Sequence, residues 1–259
     1  SEKSFDIRIG TETFKSKGTV ELKEVASEPE VFMPGDRATV TVTLINTASN
    51  PTVTIDGSDF DTNARIQAAV LKPLSDGIIV LDAPYEDMGI LGPGDSIKLT
   101  FNVKVAEDAP EGTHNFELAI EGNSFDYNSR KNIPLKVDSS NIRVIPSKEL
   151  QIVNGRSTLE FDVANTHPNE FSSVSIKPEA EGVIFYPAEY FIGPMNQDEL
   201  FTIEFNAVAD DPWGARKEGE ANMSLTANYN NGINRHANTV GDLKFINTSE
   251  SPKSNSTAV

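Results

Sequence analysis

The chain has 259 residues, no cysteine, and 39 acidic against 22 basic side chains, for a formal net charge of −17. That balance repels phosphate and argues against a nucleic-acid surface or docking on anionic lipid, while the lack of cysteine excludes disulfides, thiolate metal sites and a cysteine nucleophile. No apolar run approaches the roughly 20 residues that span a bilayer as a helix, and the length suits two domains that each bury their own core.

Strand signals run from end to end. The amino terminus, SEKSFDIRIG, has neither a basic n-region nor an apolar h-region, and Ser1 reads as a trimmed start. Phe5 to Ile9 alternates cleanly, as an extra edge strand of the first domain or a strand donated to a neighbouring subunit. Thr19 to Leu22 alternates too. Pro34-Gly35-Asp36 is a turn, followed by a strand over Ala38 to Ile45 that closes on Asn46-Thr47. Thr62 to Leu71 fits either a short helix or a strand. Gly92-Pro93-Gly94-Asp95 then leads into strands over Ile97 to Val105, His114 to Ile120 and Ile133 to Val137. After the polar link Asp138-Ser139-Ser140-Asn141 the pattern returns. Strands over Ile142 to Ile145, Thr158 to Ala164, Ser173 to Ile176, Leu200 to Val208 and Met223 to Ala227 are punctuated by Asn154-Gly155, Asn165-Thr166 and Ile192-Gly193-Pro194. The acidic corners Asp108-Ala109-Pro110-Glu111-Gly112 and Asp210-Asp211-Pro212-Trp213-Gly214 follow matching strands, so the repeat extends to the loops.

This reading predicts an all-β chain of two tandem antiparallel β-sandwiches, over residues 1–138 and 139–247, with a disordered or stalk-like tail over 248–259 that is rich in Ser, Thr, Asn and Pro. In the alignment of the two halves, Asn196-Gln197 stands where the first copy has Gly94-Asp95, and Asn154-Gly155 stands where it has Pro-Gly, which leaves the turn types open. The Pro-Gly-Asp turns, the strand ends LINTA and VANTH, and Ile192-Gly193-Pro194 before Leu200 to Phe205 resemble archaeal S-layer-related repeats, similar to the cell-adhesion domain called CARDB in methanogen surface proteins. The resemblance implies immunoglobulin-like sandwiches, exported to an envelope, with no known catalytic site.

Few residues suggest chemistry. There is no Gly-x-Ser-x-Gly, and His114, His167 and His236 are scattered without a His-x-x-x-His or a neighbouring carboxylate motif, so each reads as an ordinary surface or edge residue. No glycine-rich run opens a helix, which argues against a nucleotide site. Asp56, Asp59, Asp61 and Asn63 lie within eight positions around Gly57 and offer the hard oxygens that calcium prefers, without the spacing of an EF-hand; the alternative is a polar loop whose Asp side chains cap backbone groups. Trp213 either stacks on a sugar or closes the end of its sandwich. Asn222, Asn247 and Asn255 head N-glycosylation sequons. Together these features describe a non-catalytic extracellular structural or adhesive module of a prokaryotic envelope, with surface proteins or glycans as partners, or self-assembly through edge strands, and no cofactor beyond calcium. A carbohydrate-binding accessory module is the alternative.

Overall fold

The computed structural model describes residues 20–122, 129–210 and 219–248. Phe5 to Ile9, Trp213, Asn255 and residues 249–259 of the tail lie outside them. Every regular element among the described residues is a strand. In chain order these are β1 (Val20–Glu28), β2 (Arg37–Asn46), β3 (Thr52–Ile55), β4 (Ser58–Asp61), β5 (Ala64–Pro73), β6 (Ile78–Val80), β7 (Tyr85–Leu91), β8 (Ser96–Val105), β9 (Gly112–Glu121) and β10 (Ser129–Val137). There follow β11 (Ile142–Pro146), β12 (Gln151–Val153), β13 (Arg156–Asn165), β14 (Phe171–Ala180), β15 (Val183–Tyr186), β16 (Tyr190–Met195), β17 (Leu200–Ala209), β18 (Gly219–Asn231) and β19 (Asn234–Thr248). Of the segment read as tail, Thr248 pairs with Val153 as the end of β19.

The chain divides into two compact units. One comprises residues up to Ser27, Ala38–Lys104 and Thr113–Leu135; the other comprises Glu28–Arg37, Val105–Gly112 and the chain from Lys136 onward. In the first, sheets of order β1-β2-β8-β6 and β10-β9-β5-β7 form an immunoglobulin-like sandwich. In the second the same order recurs with β11-β13-β17-β15 and β19-β18-β14-β16, and β12 joins the two sheets by pairing with both β13 and β19. Eight strands thus have one counterpart each. The additions are the hairpin β3–β4 in the first unit and the connecting strand β12 in the second.

Alternation explains the strands. On β8, Leu99, Phe101, Val103 and Val105 are buried while Lys98, Thr100, Asn102 and Lys104 face outward, the pattern of a sheet with one wet face. Phe161, Phe171, Phe205 and Phe245 anchor the core of the second unit, each contributing on the order of 1.5–3 kcal/mol through burial. Of the segment over Thr62 to Leu71, Ala64 onward is strand, part of β5. Its ambiguity has a physical source: Ala64, Ile66, Ala69 and Leu71 are buried, and an irregularity between Ile66 and Ala68 breaks the two-residue period into a spacing that imitates a helix.

A buried asparagine pins each sandwich at the end of its second core strand. Asn46 donates from Nδ2 to the carbonyls of Thr62 (2.9 Å) and Leu91 (3.0 Å), and its Oδ1 accepts the Ala48 amide at 3.1 Å. Asn165 repeats this with the carbonyls of Asn169 (2.8 Å) and Met195 (3.0 Å) and the His167 amide (2.9 Å). The matched pins correct the sequence alignment of the following turn by two residues, so that Asn196 stands for Gly92, Asp198 for Gly94 and Glu199 for Asp95. In each turn the fourth residue's carboxylate accepts the first residue's amide, Gly92 to Asp95 at 3.1 Å and Asn196 to Glu199 at 2.7 Å. In each, the third residue has positive φ (76° at Gly94, 59° at Asp198) and donates its amide to the pinning asparagine's carbonyl. The other open turn also resolves. Asn154 and Gly155 have φ of 52° and 76°, the primed geometry of a two-residue hairpin joining β12 to β13, whereas Pro34-Gly35 has positive φ at glycine alone.

Candidate functional site

The residues with the most unusual environment lie in the second unit, around the Met33–Asp36 turn. As in the other acid-closed turns, Asp36 accepts the amide of the first residue, Met33 Nα–H to Oδ2 at 2.7 Å. Unlike them it is fully buried, and two further donors converge on it: Asn231 Nδ2 at 2.8 Å from Oδ2 and His236 Nε2 at 2.7 Å from Oδ1. A buried carboxylate survives only with such partners. Sequence order hides the grouping, because Asn231 ends β18 and His236 lies near the start of β19, far along the chain from Asp36.

Amides extend the network along the same segment. Asn169 donates from Nδ2 to Val31 O (2.7 Å) and to Asn231 Oδ1 (2.7 Å), and its Oδ1 accepts the Val31 amide at 3.2 Å. Asn231 also donates to Val31 O at 3.1 Å. Asn234 brackets Arg37, accepting its amide and donating to its carbonyl, each at 2.9 Å. Val31 to Arg37 is therefore clasped from three directions.

Beneath the clasp four rings stack in succession. His167 lies 4.9 Å from Phe171 at 25°, Phe171 lies 4.5 Å from Tyr229 at 31°, and Tyr229 lies 5.7 Å from His236 at 19°. Burial, then the Asp36 carboxylate, pushes the Tyr229 phenol up to about 12, so it stays protonated. Burial is also the largest influence on His167 and holds its imidazole below the ordinary value, against the opposing pull of the Asp138 and Asp36 carboxylates. Its Nδ1 accepts the Asn169 amide at 3.0 Å, while its buried Nε2 has no hydrogen-bond partner among the described residues. At Asp138, burial raises the carboxyl pKa, but bonds from the Ser140 hydroxyl and amide and from Lys136 outweigh it and leave a net lowering.

The histidines differ from their sequence reading. His114 on β9 and His167 are buried, and His236 is a strand residue paired with a carboxylate. His114 Nδ1 lies 3.4 Å from Ser75 Oγ. Of the calcium candidates, Asp56, Asp59 and Asp61 fall on the β3–β4 hairpin, whose turn is Asp56-Gly57, and Asn63 lies in the link before β5. Asp59 accepts from Thr54 at 2.6 Å, and Asp61 accepts the Asn63 amide at 3.1 Å and pairs with Arg65 at 3.2 Å. Among the described residues no three His, Asp or Glu side chains group in a way that would hold a metal ion. Asn222 is exposed on β18 opposite Lys244, and the backbone of Asn247 lies between β12 and β18. No helix among the described residues is long and apolar enough to cross a membrane.

No family model matches the chain, and no curated protein sequence is significantly similar to it. Among solved structures, it is similar to a Porphyromonas gingivalis W83 protein of unknown function, at 10% identity and a TM-score of 0.28, over 89% of this chain and 99% of that one. It is similar to the Yersinia pseudotuberculosis adhesin InvE at 13% identity and 0.25, over 85% of this chain and 58% of the adhesin. The third is red sea bream transglutaminase, at 9% and 0.30, over 89% of this chain and 31% of the enzyme. Likenesses of this size carry no argument about activity.

Proposed function

We propose that the chain is a non-catalytic, load-bearing spacer and interaction module on the outside of a cell, of the kind that CARDB-like envelope repeats represent. The observation that carries this is strand direction. In the second unit β12 runs parallel to β19, with Gln151 opposite Ile246, Ile152 opposite Asn247 and Val153 opposite Thr248. Tension applied before β12 and after β19 pulls the two strands in opposite directions along their own axes. The bridging hydrogen bonds are then loaded together in shear instead of being peeled singly. A second parallel bridge follows the same rule: the Phe32 amide donates to Lys136 O and the Asp138 amide to Phe32 O, both at 2.9 Å, with Phe32 opposite Val137. The exposed sequon at Asn222 and the acidic composition suit an exterior setting.

Single-molecule pulling tests the reading, and the absence of native cysteine makes attachment simple. Handles at Lys148→Cys, just before β12, and at the carboxyl terminus, the terminal geometry, load β12 and β19 in shear. Handles at Lys148→Cys and Lys244→Cys, which precede the paired residues on both strands, peel the same contact. The terminal geometry is expected to need several times the force of the peeling geometry, and equal forces would remove the case for a mechanical role.

A further inference from the structure

We propose that the Asn165–Asn169 loop is an acid-opened clasp on the segment Val31–Asp36, with His167 as its proton acceptor. His167 Nδ1 accepts the Asn169 amide, so the ring proton must sit on Nε2. A second proton has only Nδ1 to occupy, and there it makes the ring a donor that confronts the Asn169 N–H. The hydrogen bond is replaced by donor facing donor at 3.0 Å, and the loop must move.

Asn169 cannot move alone. Its side chain makes two hydrogen bonds to the Val31 backbone and one to Asn231 Oδ1, and its carbonyl accepts from the pinning Asn165. Displacing the loop therefore frees the Val31 amide and shifts Asn231, which shares the Val31 carbonyl and the Asp36 carboxylate. The equivalent pin in the first unit, Asn46, is followed by Ala48 where the second unit has His167. That loop has the same fixing bonds, with an alanine that takes up no proton at the position of the imidazole.

The surroundings set the range. The charged groups that act on His167 are the Asp138 and Asp36 carboxylates, which favour the cation, and Lys136, which opposes it; the Asp138 backbone also favours it. The Phe171 face stacks on the ring and accommodates a cation. Burial outweighs these, so the clasp is closed at neutral pH and opens on acidification.

Hydrogen exchange on the intact protein is the test. Relative to the core amide of Phe161, protection of the Val31 amide is expected to fall about tenfold between about pH 7 and about pH 4.5. In His167→Gln, whose carbonyl oxygen can accept the Asn169 amide but gains no proton, the fall should be less than about twofold. His236→Gln should keep the wild-type response. Unchanged Val31 protection in the wild type, an undiminished fall in His167→Gln, or loss of the response in His236→Gln overturns the proposal. Should His167→Gln not fold, the NMR titration of the His167 ring in the wild type decides. Its midpoint must coincide with the loss of Val31 protection, and protection that persists through that midpoint refutes the clasp.

Discussion

Replacing Asp36 by alanine removes the acceptor of three donors at once. In the wild type Met33 N–H, Asn231 Nδ2 and His236 Nε2 all end on this fully buried carboxylate. Each buried donor left without an acceptor costs about 1–3 kcal/mol. Asn231 keeps a second acceptor in Val31 O, which leaves the Met33 amide and the His236 ring as the two donors without one. A loss of about 2–6 kcal/mol is therefore expected for Asp36→Ala. His236 tests the reasoning further. With Asp36→Ala already present, His236→Phe removes an orphaned donor while an aromatic ring still stacks on Tyr229, so the double variant should recover at least about 1 kcal/mol over the single one. Urea unfolding followed by far-ultraviolet circular dichroism reads both values, and the transition belonging to the second unit is the one that shifts. A destabilisation below about 1 kcal/mol for Asp36→Ala would mean that water replaces the carboxylate freely, and the account of a closed clasp would fail.

The paired pins give a matched comparison: Asn46→Ala and Asn165→Ala each strand two carbonyls and one amide, and each should cost about 2–4 kcal/mol in its own unit, measured by urea unfolding. Tyr229 binds its proton more tightly when folded, with a value of about 12 against an ordinary 10.0. Above about pH 10 the unfolded chain loses that proton first, so stability should fall by about 2–3 kcal/mol between the two values, checked by tyrosinate absorbance beside alkaline denaturation. Gly35→Ala places a Cβ on a backbone of φ +88° and within 3.3 Å of the Glu107 carboxylate, and should destabilise by about 1–2 kcal/mol in a melt. Melting in EDTA and in millimolar calcium should coincide once magnesium is matched, since Asp59 and Asp61 already serve Thr54, Asn63 and Arg65; a calcium-specific rise would show that the hairpin rearranges to bind.

What was legible in the sequence was whatever repeats locally. Alternation located β2, β8 and β13, and the repeated Asn-Thr marked the ends of β2 and β13 without announcing that the asparagines are buried pins. What escaped was set by contacts between distant parts of the chain. A single irregularity between Ile66 and Ala68 made β5 ambiguous, since its burial follows a shifted register. The turn after β16 was misaligned because Asp198 takes a positive φ usually marked by glycine. The Asp36 site was the least visible. Its turn could be read from Pro-Gly-Asp, but nothing near residue 36 announces that His236 and Asn231 will complete its coordination by hydrogen bonds.

The asparagine pin also bears on how such a sandwich diversifies. Asn46 and Asn165 each fasten the chain just before and just after the connection to the next core strand, at Ala48 and Thr62 in one unit and at His167 and Asn169 in the other. Between those fixed points one unit carries a whole hairpin and the other a tight corner, yet the strands on either side keep the same neighbours. Because the ends are tied to the framework, the enclosed segment is free to lengthen, shorten or change sequence without disturbing the core. It is a built-in grafting socket, and foreign peptides displayed between Ala48 and Thr62 should leave the scaffold intact.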